Sequence, residues 1–164
     1  GNLRQIIHKR LKDQGHSCKC IRCREAGLSR KNMQAEFLKL NRQEYDSSNG
    51  REIFISFDDS DESIYGFLRL RKPSGLAHRN EITQNSCIVR ELHVFGKSIK
   101  IGDHEEDSIQ HSGLGRKLMS EAEKISKEYF DARKILVISA IGTREYYKKL
   151  GYKLDGPYMS KQLR

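Results

Sequence analysis

The sequence predicts an α/β (α+β) domain with a mixed, mostly antiparallel sheet flanked by helices, and three observations carry that prediction. Apolar and polar residues alternate on both sides of Ser47-Ser48-Asn49-Gly50. Leu114, Leu118, Ala122, Ile125 and Tyr129 recur at helical spacing. Lys134 to Ala140 is a short apolar run of the kind a buried strand shows. A chain of 164 residues holds one core with an appended segment, not two ordinary domains.

Taken in order, Leu3, Ile6, Ile7 and Leu11 lie on one side of a short helix, with Arg4, Lys9, Arg10 and Lys12 around the rest, and Gly15 ends it. A cysteine-rich segment follows to Gly27, and residues 1–32 read as a basic helix and linker ahead of a domain over 33–164. Ile53, Ile55 and Phe57 alternate with Glu52, Phe54 and Ser56, and Ile64 to Leu70 repeats the pattern after an acidic turn, so three antiparallel strands are expected up to Leu70. Ser86 to Phe95 is apolar on both sides and belongs at the centre of the sheet. After the polar stretch Gly102 to Asp107 comes a glycine segment ahead of the helix. Then follow the strand from Lys134, a short helix from Thr143 as N-cap, and one last strand from Tyr152.

Net charge is +9, and residues 1–45 hold 11 Lys/Arg against 4 Asp/Glu, leaving 20 against 18 in the remainder. The opening segment is thus the candidate polyanion surface, although a solvated helix face has the same look. No apolar run approaches the ~20 residues of a membrane span, and no signal peptide is legible, so a soluble, cytoplasmic protein is expected. Cys18, Cys20 and Cys23 crowd too closely to staple a fold; as C-x-C-x-x-C they suit tetrahedral Zn²⁺, with His16 a candidate fourth ligand, while Cys87 reads as a small core residue.

In Gln110-His111-Ser112-Gly113-Leu114-Gly115, followed by Arg116 and Lys117, glycines stand where a helix is expected to begin. Unpaired N–H groups and the helix dipole favour an anion there, and glycine lets a pyrophosphate approach the backbone. The pattern lacks the lysine and spacing of a P-loop and the third glycine of a dinucleotide fingerprint.

What remains, Q-x-x-G-x-G between a strand and a helix, resembles the acetyl-CoA loop of the GNAT acetyltransferases. Arg90 to Gly96 (RELHVFG), Gly142 to Tyr152 (GTREYYKKLGY), Gly156 to Leu163 (GPYMSKQL) and Cys18 to Gly27 (CKCIRCREAG) extend the match. In their order along the chain they resemble the C-terminal acetyltransferase domain of the Elongator catalytic-subunit family, which acetylates the wobble uridine of tRNA, with Cys18 to Gly27 resembling the cysteine-rich linker before that domain in archaeal and bacterial members. The resemblance implies that Glu91, Leu92, His93 and Val94 lie along acetyl-CoA, Leu92 and Val94 serving the core as well. It implies that Gln110 and Gly113 shape the loop, and that Leu114, Gly115, Arg116 and Lys117 carry the pyrophosphate. Tyr147 matches the family tyrosine near the CoA sulfur, with Tyr146 pointing elsewhere on the helix; Glu91 and His93, on one side of their strand, are candidate bases. Arg4, Lys9, Arg10, Lys12, Lys19, Arg22 and Arg24 are the expected tRNA contacts.

Family members carry upstream a radical S-adenosylmethionine domain with an iron–sulfur C-x-x-x-x-C-x-x-C motif. That motif does not occur here, so the chain is a cut fragment or a stand-alone form lacking that half; its opening without Met favours the fragment, which is expected to bind and hydrolyse acetyl-CoA in a tRNA-stimulated way, the radical half forming the carbon–carbon bond and other Elongator subunits being candidate partners. A protein lysine acetyltransferase, or a non-catalytic tRNA-binding or docking module, are the alternatives.

Overall fold

The computed structural model describes residues 2–26, 38–95 and 106–163, the last stretch from its backbone alone as far as residue 112. The expected boundary at 32/33 falls outside the described residues. Helix α1 spans Leu3–Asp13, a 3-10 turn covers Ile21–Cys23, and strands β1 (Lys39–Ser47), β2 (Gly50–Asp58), β3 (Ile64–Lys72) and β4 (Ser86–Val94) follow. Then come helix α2 (Glu106–Glu128), β5 (Lys134–Val137), helix α3 (Arg144–Lys149), β6 (Lys153–Asp155) and β7 (Tyr158–Gln162). The described strands make one sheet of seven in the order β1-β2-β3-β4-β5-β7-β6, with β4 at its centre. Every neighbouring pair is antiparallel except β4 and β5.

The local reasons are visible strand by strand. Ser48 and Asn49 take φ of 45° and 58°, the left-handed backbone that a two-residue hairpin turn needs, and Ser47 pairs with Gly50 across it. One face of the sheet carries Ile53, Ile55, Leu68, Leu70, Cys87, Val89, Ile135 and Val137, all buried against Leu118, Met119, Ala122 and Ile125 of α2. Cys87 is thus the core residue expected. An extra residue, Arg90, interrupts the ladder between β3 and β4, because Arg69 pairs with Glu91 while Leu70 pairs with Val89.

The structure corrects several expectations. Tyr129 lies beyond the end of α2 and is exposed, its hydroxyl donating to Glu44 Oε1 at 3.1 Å while Arg42 caps its ring. The chain from Tyr152 makes two strands, because Gly156 takes φ 57° in a two-residue turn that pairs Asp155 with Tyr158. The strand from Lys134 ends at Val137, and Ile138 is exposed. Helix α2 begins at Glu106, so Gly113 and Gly115 lie inside it, not in a loop ahead of it. Nothing in residues 106–112 is a strong breaker, and each glycine costs a helix only about 1 kcal/mol relative to alanine.

Candidate acetyl-CoA site and cysteine cluster

Two parallel strands part company beside α2. β4 and β5 pair only from Ser86 with Lys134 to Val89 with Val137, and the bond from Ile138 N–H to the Val89 carbonyl, 3.0 Å, closes the ladder. Beyond it β3 still pairs with β4 as far as Val94, so the other edge of β4 from Arg90 to Val94 has no strand partner among the described residues. Backbone donors and acceptors without a neighbour are the raw material of a binding edge.

Gly115 marks where that edge meets both helices. A Cβ built there would stand 2.8 Å from Tyr146 Oη and 3.6 Å from Val94 Cγ2, so the position is closed to any side chain. Tyr146 Oη is buried without a hydrogen-bond partner, an orphan at the mouth of the gap. Burial raises the Tyr146 phenol and Arg116 partly offsets the rise. Tyr146 is turned toward Gly115, 31 residues away in sequence, a contact that no local pattern reveals.

Tyr147 is buried in the core, edge-on to Tyr146 and Tyr152, and burial first, then Tyr146, pushes its phenol up to about 12. Leu114 is buried with Tyr65, packed by Val94, and Leu92 packs against the core on the α2 side. Arg116 and Lys117 are exposed. Gly113 has open space where a Cβ would be, so packing does not require glycine there. Within a helix, however, the N–H groups of residues 113–117 point at carbonyls four residues back, and a pyrophosphate cradle needs them free. Of Gln110 only the backbone is described.

Glu91 and His93 share the opposite face, as alternation implied, and both are exposed. His93 stacks on Phe67 at 5.9 Å and meets Phe95 at a tilt, 4.6 Å away, and Glu91 stands 3.8 Å from Arg69.

In the opening segment the cysteines meet a histidine, but not the one expected. His8 Nε2 lies 3.4 Å from Cys23 Sγ, Cys20 Sγ lies 3.5 Å from Cys23 Sγ, and His8, Cys18 and Cys23 bring their ligand atoms within 4.8 Å of one another. Donors around one tetrahedral zinc at bond lengths of about 2.0–2.3 Å stand about 3.5–3.8 Å apart, so His8, Cys18 and Cys23 are three candidate ligands, while Cys20, close to Cys23, lies outside that group. The sequence hides His8 because it reaches the cluster from α1, whose spacing to Cys18 matches no common metal motif. The Cys23 backbone N–H, then the Cys18 and Cys23 thiols, hold the Cys20 thiol down to about 6, and desolvation with the same sharing pushes Cys23 up to about 11.

The basic residues divide. Arg4 directs its guanidinium to Cys23 Sγ at 3.0 Å, Lys19 pairs with Glu62, and Arg24 pairs with Asp58 at 2.8 Å and donates to the Glu62 carbonyl. Glu25 forms a bridge with Ile64, so the cysteine segment is fastened to the turn between β2 and β3. Lys9, Arg10, Lys12 and Arg22 are exposed.

No protein-family model matches the chain. It is 47% identical over 99% of its length to the tRNA uridine(34) acetyltransferase of Methanocaldococcus jannaschii, and 45% identical over 99% to Elongator complex protein 3 of Saccharomyces cerevisiae. Human Elongator complex protein 3 is 42% identical over the whole chain. The chain spans 30–31% of the length of these relatives. A solved structure of Methanocaldococcus infernus Elp3 with its N-terminus deleted (1-46) superposes on 99% of this chain with a TM-score of 0.86 at 46% identity, over 39% of that chain. No described helix is long and apolar enough to cross a membrane. By sequence along nearly its full length, and by fold, the chain belongs to the family of tRNA uridine(34) acetyltransferase and Elongator complex protein 3 and corresponds to just under a third of such a protein.

Proposed function

We propose that this chain binds acetyl-CoA in the gap between β4 and β5 and, as part of a longer protein, serves acetylation of the wobble uridine of tRNA. The observation that carries this reading is the convergence at Gly115 of a β4 edge and a buried tyrosine hydroxyl that have no partner among the described residues. Bound acetyl-CoA supplies a thioester-activated acetyl group. The free backbone edge of Arg90 to Val94, comprising Glu91, Leu92 and His93, orients the pantetheine arm and donates N–H to the thioester oxygen. Tyr147 and Tyr146, both raised above the ordinary phenol value, keep their protons at neutral pH and can donate one to the departing sulfur.

Gly113 to Lys117, with Gln110 preceding them, receive the pyrophosphate when the turn around Gly113 opens and frees its N–H groups, a change glycine makes cheap. Arg116 and Lys117 add positive potential. Glu91 and His93 face the side from which an acceptor would approach. Cys18, Cys20, Cys23 and His8 hold a structural zinc, and Lys9, Arg10, Lys12 and Arg22 contact tRNA phosphates. Uridine itself is modified only with the remaining two thirds of the protein.

The test is free CoA released from acetyl-CoA by this chain, with and without unmodified tRNA, alongside Tyr146→Phe, Tyr147→Phe and a basic-peptide control. Release that rises with tRNA and drops on loss of a hydroxyl is expected, by about 10²-fold for the one that donates. Release indifferent to tRNA, with peptides acetylated instead, would replace this reading by lysine acetylation.

A further inference from the structure

On the sheet face turned away from α2, one carboxylate gathers three arginines. Glu52 is fully buried. Its Oε1 accepts from Arg69 Nε at 2.9 Å and lies 2.9 Å from Arg69 Nη2 as well, while its Oε2 accepts from Arg90 Nη1 at 2.9 Å and Arg71 Nη1 at 3.4 Å. Registration explains the convergence: Glu52 stands opposite Arg71, and Arg90 is the bulged residue of β4 beside Arg69. A buried carboxylate is costly unless its lone pairs are filled, and here each oxygen is filled by guanidinium.

The arginines are not filled in return. Each guanidinium carries about five N–H donors. Arg71 also donates to the Ser48 carbonyl, and Arg69 to Tyr45 Oη at 3.4 Å, with Glu91 at 3.8 Å. Beyond Glu52, Arg90 has no partner among the described residues, and 42% of its side chain is open to solvent. Three cations therefore stand against two carboxylates, and the outward edges of Arg90 and Arg69 are held in fixed orientation by an anion beneath them.

We infer that this cluster is a docking site for the phosphodiester backbone of an RNA, laid over the exposed outer edges of Arg90 and Arg69. Planar guanidinium forks match phosphate oxygens, and fixing them in advance removes part of the entropy of binding. The surroundings favour a nucleic acid over an acidic protein segment. Tyr45, tied to Arg69, is 41% exposed and offers a ring to a base or ribose. On the same face Arg71 and Arg69 lead along β3 to buried Phe67, over which the exposed His93 of β4 stacks, so an exposed imidazole follows the arginines. The inference rests on the tRNA reading above, and adds a contact surface that the basic opening segment does not supply.

Anisotropy of fluorescently labelled unmodified tRNA, titrated with this chain over a range of salt concentrations, is compared with Arg90→Gln and Glu52→Gln. Arg90→Gln is expected to weaken binding about 5–10-fold and to lower the salt slope by about 1. Glu52→Gln, although it adds a net positive charge, is expected to weaken tRNA binding because the forks lose their anchor; tighter binding would mean that charge alone acts there and would overturn the site. Parent and Arg90→Gln binding tRNA alike overturns the inference and leaves the tRNA reading standing. No tRNA binding by the parent overturns both, and an acidic peptide captured only through Arg90 would mark a protein partner and overturn the RNA assignment.

Discussion

The two faces of the sheet are made from the same strands and solve burial in opposite ways. Toward α2, Ile53, Ile55, Leu68, Leu70 and Val89 pack without a polar atom among them. One residue along, Glu52, Arg69, Arg71 and Arg90 cover part of their face with ion pairs, beside an aromatic strip of Phe54, Phe67, His93 and Phe95 in which Phe67 and Phe95 are buried. The first face depends on shape and on exclusion of water. The second depends on directed bonds whose outer partners remain in solvent, so it can hold together and still receive something else.

Substitutions should separate the two. Leu68→Ala leaves a cavity on the dry face and is expected to cost about 2–5 kcal/mol in denaturant unfolding. Glu52→Gln is expected to cost about 1–3 kcal/mol, because the stranded guanidiniums can turn to water; a loss equal to that of Leu68→Ala would show that the charged face is as sealed as the other. Gly113→Ala sharpens the contrast within α2. It should stabilise the chain by about 1 kcal/mol and weaken acetyl-CoA binding, since its Cβ meets nothing while its helical preference opposes opening. Stabilisation with unaltered affinity would mean that the turn stays helical in the bound state.

The smallest effect expected is alkaline. The Tyr147 phenol titrates near 12 in the folded chain and about 10 when unfolded, so its protonated form supports the fold fully below pH ~10 and that support is lost as pH rises toward 12. Tyr152 is raised in the same direction, by burial and then by Glu123. Tyr147→Phe should move the alkaline unfolding midpoint upward, followed by circular dichroism.

Legibility in the sequence followed the range of the interaction. The hairpin at Ser48 and Asn49, the central strand and the α2 stripe from Leu114 to Ile125 rest on residues a few positions apart and are found where periodicity placed them, Tyr129 at the stripe's end excepted. The turn at Gly156 was just as local, but a short apolar tail masked it. His8 at the thiols, Tyr146 against Gly115 and Glu52 beneath three arginines depend on where distant segments meet. In the sequence Glu52 reads as an outward polar residue of an alternating strand; it faces away from the α2 core, as alternation requires, but pairing on both sides buries it.

Strand β1 stands at one margin of the sheet with nothing beyond it among the described residues. An exposed strand margin is a template on which another chain can add itself, and long apolar margins seed fibres. This one reads Lys-Leu-Asn-Arg-Gln-Glu-Tyr-Asp-Ser, with Lys39, Arg42, Glu44 and Asp46 spaced along nine residues. A second molecule approaching in either direction would have to bury those charges, so the margin beside the arginine cluster disfavours edge-to-edge pairing of this chain.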